Sequence, residues 1–431
     1  MAELYQTFLP RFSLASLSRA FAAGKSHVIL DWMSAYSLYL HIPFCRHRCA
    51  YCDFNTYAGQ DSAIPAYVDA LIAEAAGVAG AAATDGAGEH LPVQTIFFGG
   101  GTPSLLPAES LARILGAIRE GYAVAETAEI TLEANPGTVT AGYLEALRGL
   151  GINRISFGMQ SADPFELRQL ERQHDPLDVI RAVAWARQAG FEQINLDLIY
   201  GLPDQAIETW AHTLEFALAL RPEHLSLYAL TIEEGTPLYR WASRGLVSQP
   251  DPDRAADMYE LASERLDRAG FTQYEISNWA TRSPDGTLLS CQHNLTYWRN
   301  QPYLGIGAGA HGYAGGYRTA NVNGIASYIA RIRAAGWQGF PLSPANATAT
   351  PIDRETEIKE TMMVGLRLVQ EGVSAEAFKG RFGLSLMERY PREINELVGW
   401  GLLEWAGEND RRLRLTSRGR LLGNQVFMRF I

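Results

Sequence analysis

The sequence predicts an α/β protein: an open, partial βα barrel followed by a smaller α+β domain of winged-helix-like outline. Three observations carry this. Strand-like apolar runs alternate with amphipathic stretches from Tyr39 onward, the pattern of βα units around a parallel sheet. Each of six such runs ends in polar or glycine-rich residues, as expected where the carboxyl ends of strands form one mouth. Two further units that would close an eightfold barrel are not legible, and beyond about residue 345 the pattern changes again.

The expected strands are 37–43, 95–101, 129–135, 152–160, 194–200 and 224–231, with helices over 61–80, 106–120, 140–150, 176–190 and 205–220. Most of the strands are apolar-rich, which predicts helices on the outer face and side chains filling the inside. Ala75 to Glu89 is low in complexity and reads as a loose surface connection. After Glu234 come a helix over 253–270 and an extended run from Thr272 to Trp279. Helical patterns over 354–370, 374–381 and near 388–400 then lead to a hairpin, Gly401–Trp405 against Arg412–Thr416, with its turn at Glu408-Asn409-Asp410. The expected division is an extension over 1–36, the barrel over 37–240, a barrel extension over 241–345 and the terminal domain over 346–431.

The extension is ambiguous. Phe8 to Trp32 mixes apolar residues with Arg11, Arg19 and Lys25 and has no acid before Asp31. A transit peptide, a weak amphipathic helix and a segment upstream of a true start at Met33 all fit.

Composition narrows the function classes. The 431 residues are 47 % hydrophobic and 19 % charged, an ordinary globular balance. The net charge of −10 argues against broad nucleic-acid binding, and with it against a transcription regulator acting through the winged-helix-like end. No stretch of about 20 apolar residues stands out, so no spanning helix is expected. Four cysteines, three of them in one loop, point to a reducing, cytoplasmic setting.

That loop follows the first strand: Cys45, Cys49 and Cys52 in Phe44-Cys45-Arg46-His47-Arg48-Cys49-Ala50-Tyr51-Cys52. Three thiols so close together suit neither two disulfides nor, without a fourth ligand at the usual spacing, a closed zinc site. They can hold three irons of a four-iron cubane and leave the fourth iron open. Incidental buried cysteines and zinc remain as alternatives.

Further candidates sit at the other strand ends. Gly99-Gly100-Gly101-Thr102 is either a tight turn or a stretch of bare backbone that lets a ligand's amino and carboxylate groups approach. Glu133 lies in an apolar strand and needs a ligand hydroxyl or a cation. Gln160, Arg172 and Asp197 are similarly placed, although Arg172 pairs as readily with a neighbouring acid. His293 lies in Cys291-Gln292-His293-Asn294, and a helical turn would bring Tyr297 to its face. Its imidazole is either a haem ligand or a structural core group, with His311 as a second histidine to follow. Cys291 reads as a small buried hydrophobe.

Together these motifs resemble the coproporphyrinogen dehydrogenase-like branch of the radical S-adenosylmethionine (SAM) superfamily, and within it the HemW-type haem chaperones. The resemblance runs from about Ser37 to the C-terminus. It rests on Tyr39 to Cys45, the cysteine loop, Gly99 to Leu106 and Glu133 to Gly137, and continues through Asn153 to Ser161 and Asn195 to Pro203. It implies a 4Fe-4S cluster on Cys45, Cys49 and Cys52. It implies SAM contacts from Tyr39, Tyr51, Gly100, Gly101, Thr102, Glu133, Gln160, Arg172 and Asp197. It also implies haem contacts from His293, Asn294 and Tyr297, which match the family's HNxxY signature. The dehydrogenases resemble Cys-x3-Cys-x2-Cys-x-Cys, whereas Asp53-Phe54 follows Cys52 here. The resemblance therefore implies a cytoplasmic chaperone that binds haem, or a porphyrin, and hands haem to a recipient hemoprotein, with no nucleic-acid partner. Membrane contact through the recipient, and monomer against dimer, stay open. The rival is oxygen-independent decarboxylation of coproporphyrinogen III, an oxidase activity in porphyrin biosynthesis.

Overall fold

The computed structural model describes residues 35–86, 90–408 and 411–431, so the expectations for residues 1–34 and for Asn409 and Asp410 of the hairpin turn lie outside the described residues. The chain opens with β1 (Tyr36–Ile42) and a short parallel pair, β2 (Phe44–Cys45) and β3 (Tyr57–Ala58), that brackets the cysteine loop. Then α1 (Ile64–Thr84), β4 (Leu91–Gly100), α2 (Ala108–Gly121), β5 (Tyr122–Ala134), α3 (Ala141–Gly149) and β6 (Arg154–Gln160) follow. Next come α4 (Pro164–Gln169), α5 (Pro176–Gln188), β7 (Gln193–Tyr200), α6 (Ile207–Ala219), β8 (His224–Ala229), α7 (Pro237–Ser243) and α8 (Pro252–Arg268). The six expected strands are thus present, with β5 starting well before residue 129.

The extended run from Thr272 resolves into β9 (Thr272–Glu275) and β10 (Asn278–Ala280), an antiparallel pair on the edge of β8. A short helix α9 (Gln292–Trp298) leads to β11 (Tyr303–Ile306), which lies parallel to β1 on its free side. This is a seventh parallel strand, four residues long, that the sequence did not reveal. A meander of β12 (His311–Ala314), β13 (Tyr317–Asn321) and, after α10 (Ile325–Ala334), β14 (Asn346–Pro351) extends the edge. The resulting sheet reads β14-β13-β12-β11-β1-β4-β5-β6-β7-β8-β10-β9 and is open, as expected.

One expectation fails at α1. Ala75 to Thr84 is helix, not loose connection, because Ala75, Val78, Ala79 and Ala82 are buried, and alanine is the strongest helix former. By length and composition alone the stretch Asp61–Thr84 is apolar enough to cross a membrane, but half of its apolar window is buried inside the protein, as in a core helix. At its centre the buried Glu74 accepts bonds from Gly307 N–H (2.8 Å), Asn321 Nδ2 (3.0 Å), Tyr328 Oη (2.7 Å) and Ser343 Oγ (2.5 Å). The carboxylate thereby ties the helix to the late strands.

The strands are not apolar throughout; they alternate. Leu38, Leu40 and Ile42, Ile96 and Phe98, Ile130 and Leu132, Ile155 and Phe157, and Leu196 and Leu198 are all buried beneath the helices. Each such side chain contributes about 1.5–3 kcal/mol of burial. The intervening residues point into the barrel and are polar or aromatic: Ser37, Tyr39 and His41; Thr95 and Phe97; Glu129, Thr131 and Glu133; Arg154 and Ser156; Asn195 and Asp197; His224 and Ser226. Hydrogen bonds, not apolar side chains, fill the inside.

Beyond β14, α11 (Arg354–Gly365), β15 (Val373–Ser374), α12 (Ala375–Phe382), α13 (Leu386–Arg389) and α14 (Pro391–Gly399) precede the hairpin β16 (Leu403–Ala406) and β17 (Arg412–Leu415). The chain ends in α15 (Ser417–Leu421) and α16 (Gly423–Phe427). Phe378, Phe382, Ile394, Leu397, Leu413, Leu415 and Phe430 form a second core distinct from that of the barrel. The expected helix, helix, hairpin order is observed, and β15 adds a third strand.

Candidate functional site at the barrel mouth

The carboxyl ends of β1 and β4 to β8 surround the cysteine loop. Gly101 N–H donates to Ile42 O and Thr102 N–H to Phe44 O, both at 2.8 Å, so the glycine strand end is laced to the start of the loop. The glycines are needed for that approach. Gly100 has φ +110°, and a Cβ there would lie 2.5 Å from the His41 ring, while at Gly101 it would meet the Phe44 carbonyl at 2.7 Å.

Each thiol has a polar neighbour: Thr102 Oγ1 lies 3.6 Å from Cys45 Sγ, Thr56 Oγ1 lies 3.9 Å from Cys52 Sγ, and Arg172 Nη1 donates to Cys49 Sγ at 3.6 Å. Burial raises the Cys45 and Cys52 thiols above their ordinary pKa. Among the described residues no set of three or more His, Cys, Asp or Glu side chains is drawn close enough together to hold one metal ion, the three thiols included, as suits thiols that would each take a different iron of a cubane. The donor set of three thiols with a guanidinium and two hydroxyls fits an electron-rich iron–sulfur cluster.

Arg172 turns its second nitrogen to Gly158 O at 2.7 Å, and its buried Nε has no partner. Gln160 folds over the same glycine, since a Cβ on Gly158 would meet Gln160 Nε2 at 2.8 Å and Arg172 Nη2 at 2.9 Å. Gln160 has φ +66° next to a register shift between Gly158 and Gln160. A left-handed glutamine costs on the order of 1–2 kcal/mol, and such strain clusters where a side chain must be aimed.

Among the described residues Glu133 has one hydrogen-bond partner, Gly100 N–H at 3.1 Å. Burial, and then Asp197 nearby, push its pKa up to about 7. Asp197 is better held: Ser156 Oγ and Asn195 Nδ2 both donate to it at 2.8 Å. Tyr51 sits beside Cys49, Cys52, Arg172 and Asp197. The Tyr39 hydroxyl contacts His41 Nδ1 at 3.0 Å, and His41 Nε2 reaches the Asn55 carbonyl at 2.9 Å. A carbonyl only accepts, so Nε2 carries the proton and Tyr39 donates to Nδ1. Tyr39 can therefore only accept from a ligand.

The histidine segment lies at the opposite end. Helix α9 closes the amino end of the barrel, where Glu129 accepts from Gln292 N–H and His293 N–H at 3.0 Å each and from Cys291 Sγ at 3.4 Å. His293 and Tyr297 do share one face, with Nε2 2.8 Å from the Tyr297 hydroxyl, while Nδ1 meets Thr95 Oγ1 at 2.7 Å. The ring stacks on Phe97 at 5.0 Å and is only 1 % exposed. Burial and Arg154 lower its pKa to about 3. Asn294 is buried and turned toward Tyr274 of β9. Both ring nitrogens of His293 are thus engaged in this conformation. His311 is partly exposed, with its pKa lowered by burial and Arg318. Cys291 is fully buried and its thiol is raised to about 12, in line with the bland reading.

The sequence missed His41, Glu129, Arg154, Asn195 and His224. Their signal was present as a period of two: every second residue of the barrel strands is polar or aromatic.

Residues 39–217 match the family model of the radical SAM superfamily, and residues 352–422 match that of the HemN C-terminal domain. The heme chaperone HemW of Bacillus subtilis is 38 % identical over 92 % of this chain and 99 % of its own length. The heme chaperone HemW of Escherichia coli is 43 % identical over 64 % of this chain and 69 % of its own. Among solved structures, the radical SAM coproporphyrinogen III oxidase HemN of E. coli superposes with a TM-score of 0.75 over 92 % of this chain and 90 % of its own, at 24 % identity, which establishes the fold. Fold and mouth define a radical SAM protein, a class that implies a 4Fe-4S cluster and SAM. Within that class the chain belongs to the HemW family.

Proposed function

We propose that this protein is a haem chaperone on a radical SAM scaffold: it binds haem, a 4Fe-4S cluster and SAM, and passes haem to a recipient hemoprotein. The observation that carries the reading is the mouth. Three thiols form the loop, and Asp53 and the exposed Phe54 stand where a dehydrogenase would place a further cysteine. The full-length similarity to proteins named heme chaperone points the same way.

In this reading Cys45, Cys49 and Cys52 hold the cluster, with Arg172, Thr102 and Thr56 moderating the charge on sulfur. Gly100, Gly101 and Thr102 offer backbone and hydroxyl to SAM's polar end, and Glu133, Gln160, Asp197, Tyr39 and Tyr51 wall its site. The cluster and SAM together supply one-electron chemistry when bound; the protein positions and shields them. For haem, Asn294 and the His293–Tyr297 pair are the assigned contacts. His293 Nδ1 is held by Thr95 Oγ1, a bond of the kind that would orient an imidazole on a metal, and Nε2, now bonded to Tyr297, is the nitrogen that would face haem.

The deciding experiment incubates reconstituted, reduced protein and SAM with coproporphyrinogen III in one arm and with haem in another. Stoichiometric haem binding, transfer to an apo-hemoprotein and no protoporphyrinogen are expected, and the Soret band should shift in His293→Ala. Robust decarboxylation with SAM consumption would overturn the chaperone reading. An unshifted Soret band would remove His293 as the ligand and leave the chaperone.

A further inference from the structure

Behind Asp197 lies a hydrogen-bonded chain that no haem or cluster assignment uses. On the lumen face of β6, β7 and β8, Ser156, Asn195 and His224 stand in register. His224 is 2 % exposed and both its nitrogens are engaged: Nδ1 with Asn195 Oδ1 at 2.6 Å and Nε2 with the Tyr274 hydroxyl at 2.9 Å. Asn195 Nδ2 then donates to Asp197 Oδ1 and to Ser156 Oγ, each at 2.8 Å, and Ser156 Oγ donates to Asp197 Oδ2 at 2.8 Å. Ser226 Oγ adds a longer bond to Asn195 Oδ1 at 3.2 Å.

The polarity of this chain has one solution. An ionised carboxylate only accepts, so Asn195 must turn its amide nitrogen toward Asp197 and its oxygen toward His224. His224 must therefore carry its proton on Nδ1, leaving Nε2 to accept from Tyr274. Burial, and then Arg154, hold the His224 pKa well below the ordinary value, which keeps the ring neutral as the chain requires. Tyr274 is anchored from outside the barrel, since Val369 N–H, beyond α11, donates to its carbonyl at 3.1 Å.

We propose that His224 is a positioning residue for Asp197, fixing both carboxylate oxygens through Asn195 and Ser156 from an anchor on Tyr274. The inference rests on the reading of Asp197 as a SAM contact. The chain presents a single-orientation carboxylate to a ligand in the mouth. Without His224, Asn195 Oδ1 keeps only the longer bond from Ser226, and the amide that donates to Asp197 is held less firmly. Burial raises the Asp197 pKa while the bonds from Ser156 and Asn195 oppose that rise. Losing them should therefore cost most at low pH. The charged and titratable groups around Asp197 are Arg154 on β6, Glu133 on β5, Tyr228 on β8, and Arg172 and Tyr51 from the loops. All of them remain in every variant tested.

The test measures SAM binding by calorimetry on cluster-reconstituted full-length protein near pH 8 and near pH 6. Asp197→Asn should weaken binding about tenfold or more at both values, as expected for loss of a charge-assisted contact. His224→Leu should weaken it by about threefold near pH 8 and about tenfold near pH 6, and His224→Gln, which keeps an amide donor, should recover most of the loss. Tyr274→Phe removes one hydroxyl and should show the same pH trend at smaller size, which keeps the proposal testable if His224→Leu fails to fold. Nitrogen-15 spectra of the unliganded protein should show His224 as the neutral Nδ1–H tautomer near pH 6. If Asp197→Asn weakens binding while the His224 and Tyr274 variants match the parent at both pH values, the positioning role is overturned and the Asp197 contact stands. If Asp197→Asn itself binds normally, both fall. A cationic or Nε2–H His224 also overturns the chain.

Discussion

The two ends of the barrel lumen are lined from the same strands by the same kinds of residue, yet they are finished differently. At the amino end around α9, the carboxylate and imidazoles are closed on their neighbours: Glu129 accepts three bonds, and His293 and His224 engage both ring nitrogens, although Arg154 Nε and Trp298 Nε1 have no partner among the described residues. At the mouth the accounts stay open: Glu133 has one partner, Arg172 leaves Nε unpaired, and Gln160 holds a left-handed backbone. A buried polar group without a partner costs about 1–3 kcal/mol, so the fold tolerates it where a ligand completes it. The bonded carboxylate and imidazoles of the floor serve structure; Glu133 and Arg172 at the mouth are left for a ligand.

The largest effect should come from the mouth. Cys49→Ser removes one of three thiolates, and about four irons per chain after anaerobic reconstitution should fall to almost none, measured as iron and acid-labile sulfide. Full retention would remove the mouth from the comparison altogether.

The amino end should answer with stability instead. Glu129→Ala strips a partner from Cys291 and from two backbone N–H groups of α9. Denaturant unfolding should show a loss of about 2–4 kcal/mol, with iron content unchanged. A variant as stable as the parent would mean that α9 is not held by this carboxylate.

Glu133 should separate the two ends by sign. Glu133→Ala should weaken SAM binding by about 1–3 kcal/mol, read by calorimetry. Stability should move the other way. The folded pKa of about 7 lies above that of a free glutamate, so the folded state holds a proton that the unfolded chain has released. This contribution is fully present below about pH 4.3 and is lost as the pH rises through 7, a fall on the order of 1–3 kcal/mol that Glu133→Gln should flatten in the unliganded protein. Asp197, also raised by burial, leaves a residual slope of the same sign. An unchanged pH profile would place Glu133 among the satisfied groups.

The smallest effect is expected at Cys291. Its thiol is fully buried against Glu129, and a serine hydroxyl can make the same bond, so Cys291→Ser should keep the cluster and stay within about 1 kcal/mol of the parent. Loss of iron in that variant would give Cys291 a role its burial does not indicate.

By itself the sequence determined the parallel βα order, the terminal helix–hairpin module, the cysteine loop and the strand-end motifs, because each is written in contiguous residues with local periodicity or spacing. It also carried the His293–Tyr297 pair, since a helix turn sets that contact. Only the tertiary structure decided that α9 closes the barrel floor and that His293 spends both nitrogens there, because Thr95 and Glu129 come from strands more than 160 residues away. The four-residue β11 carries too little pattern to be seen alone, and its pairing with β1 is a choice between distant segments. The same holds for α1, whose alanine-rich tail looks featureless until β11, β13 and α10 gather donors around Glu74. Whether a buried polar residue is satisfied depends on partners brought together by folding, and that is what separates Glu129 and His293 at the floor from Glu133 at the mouth.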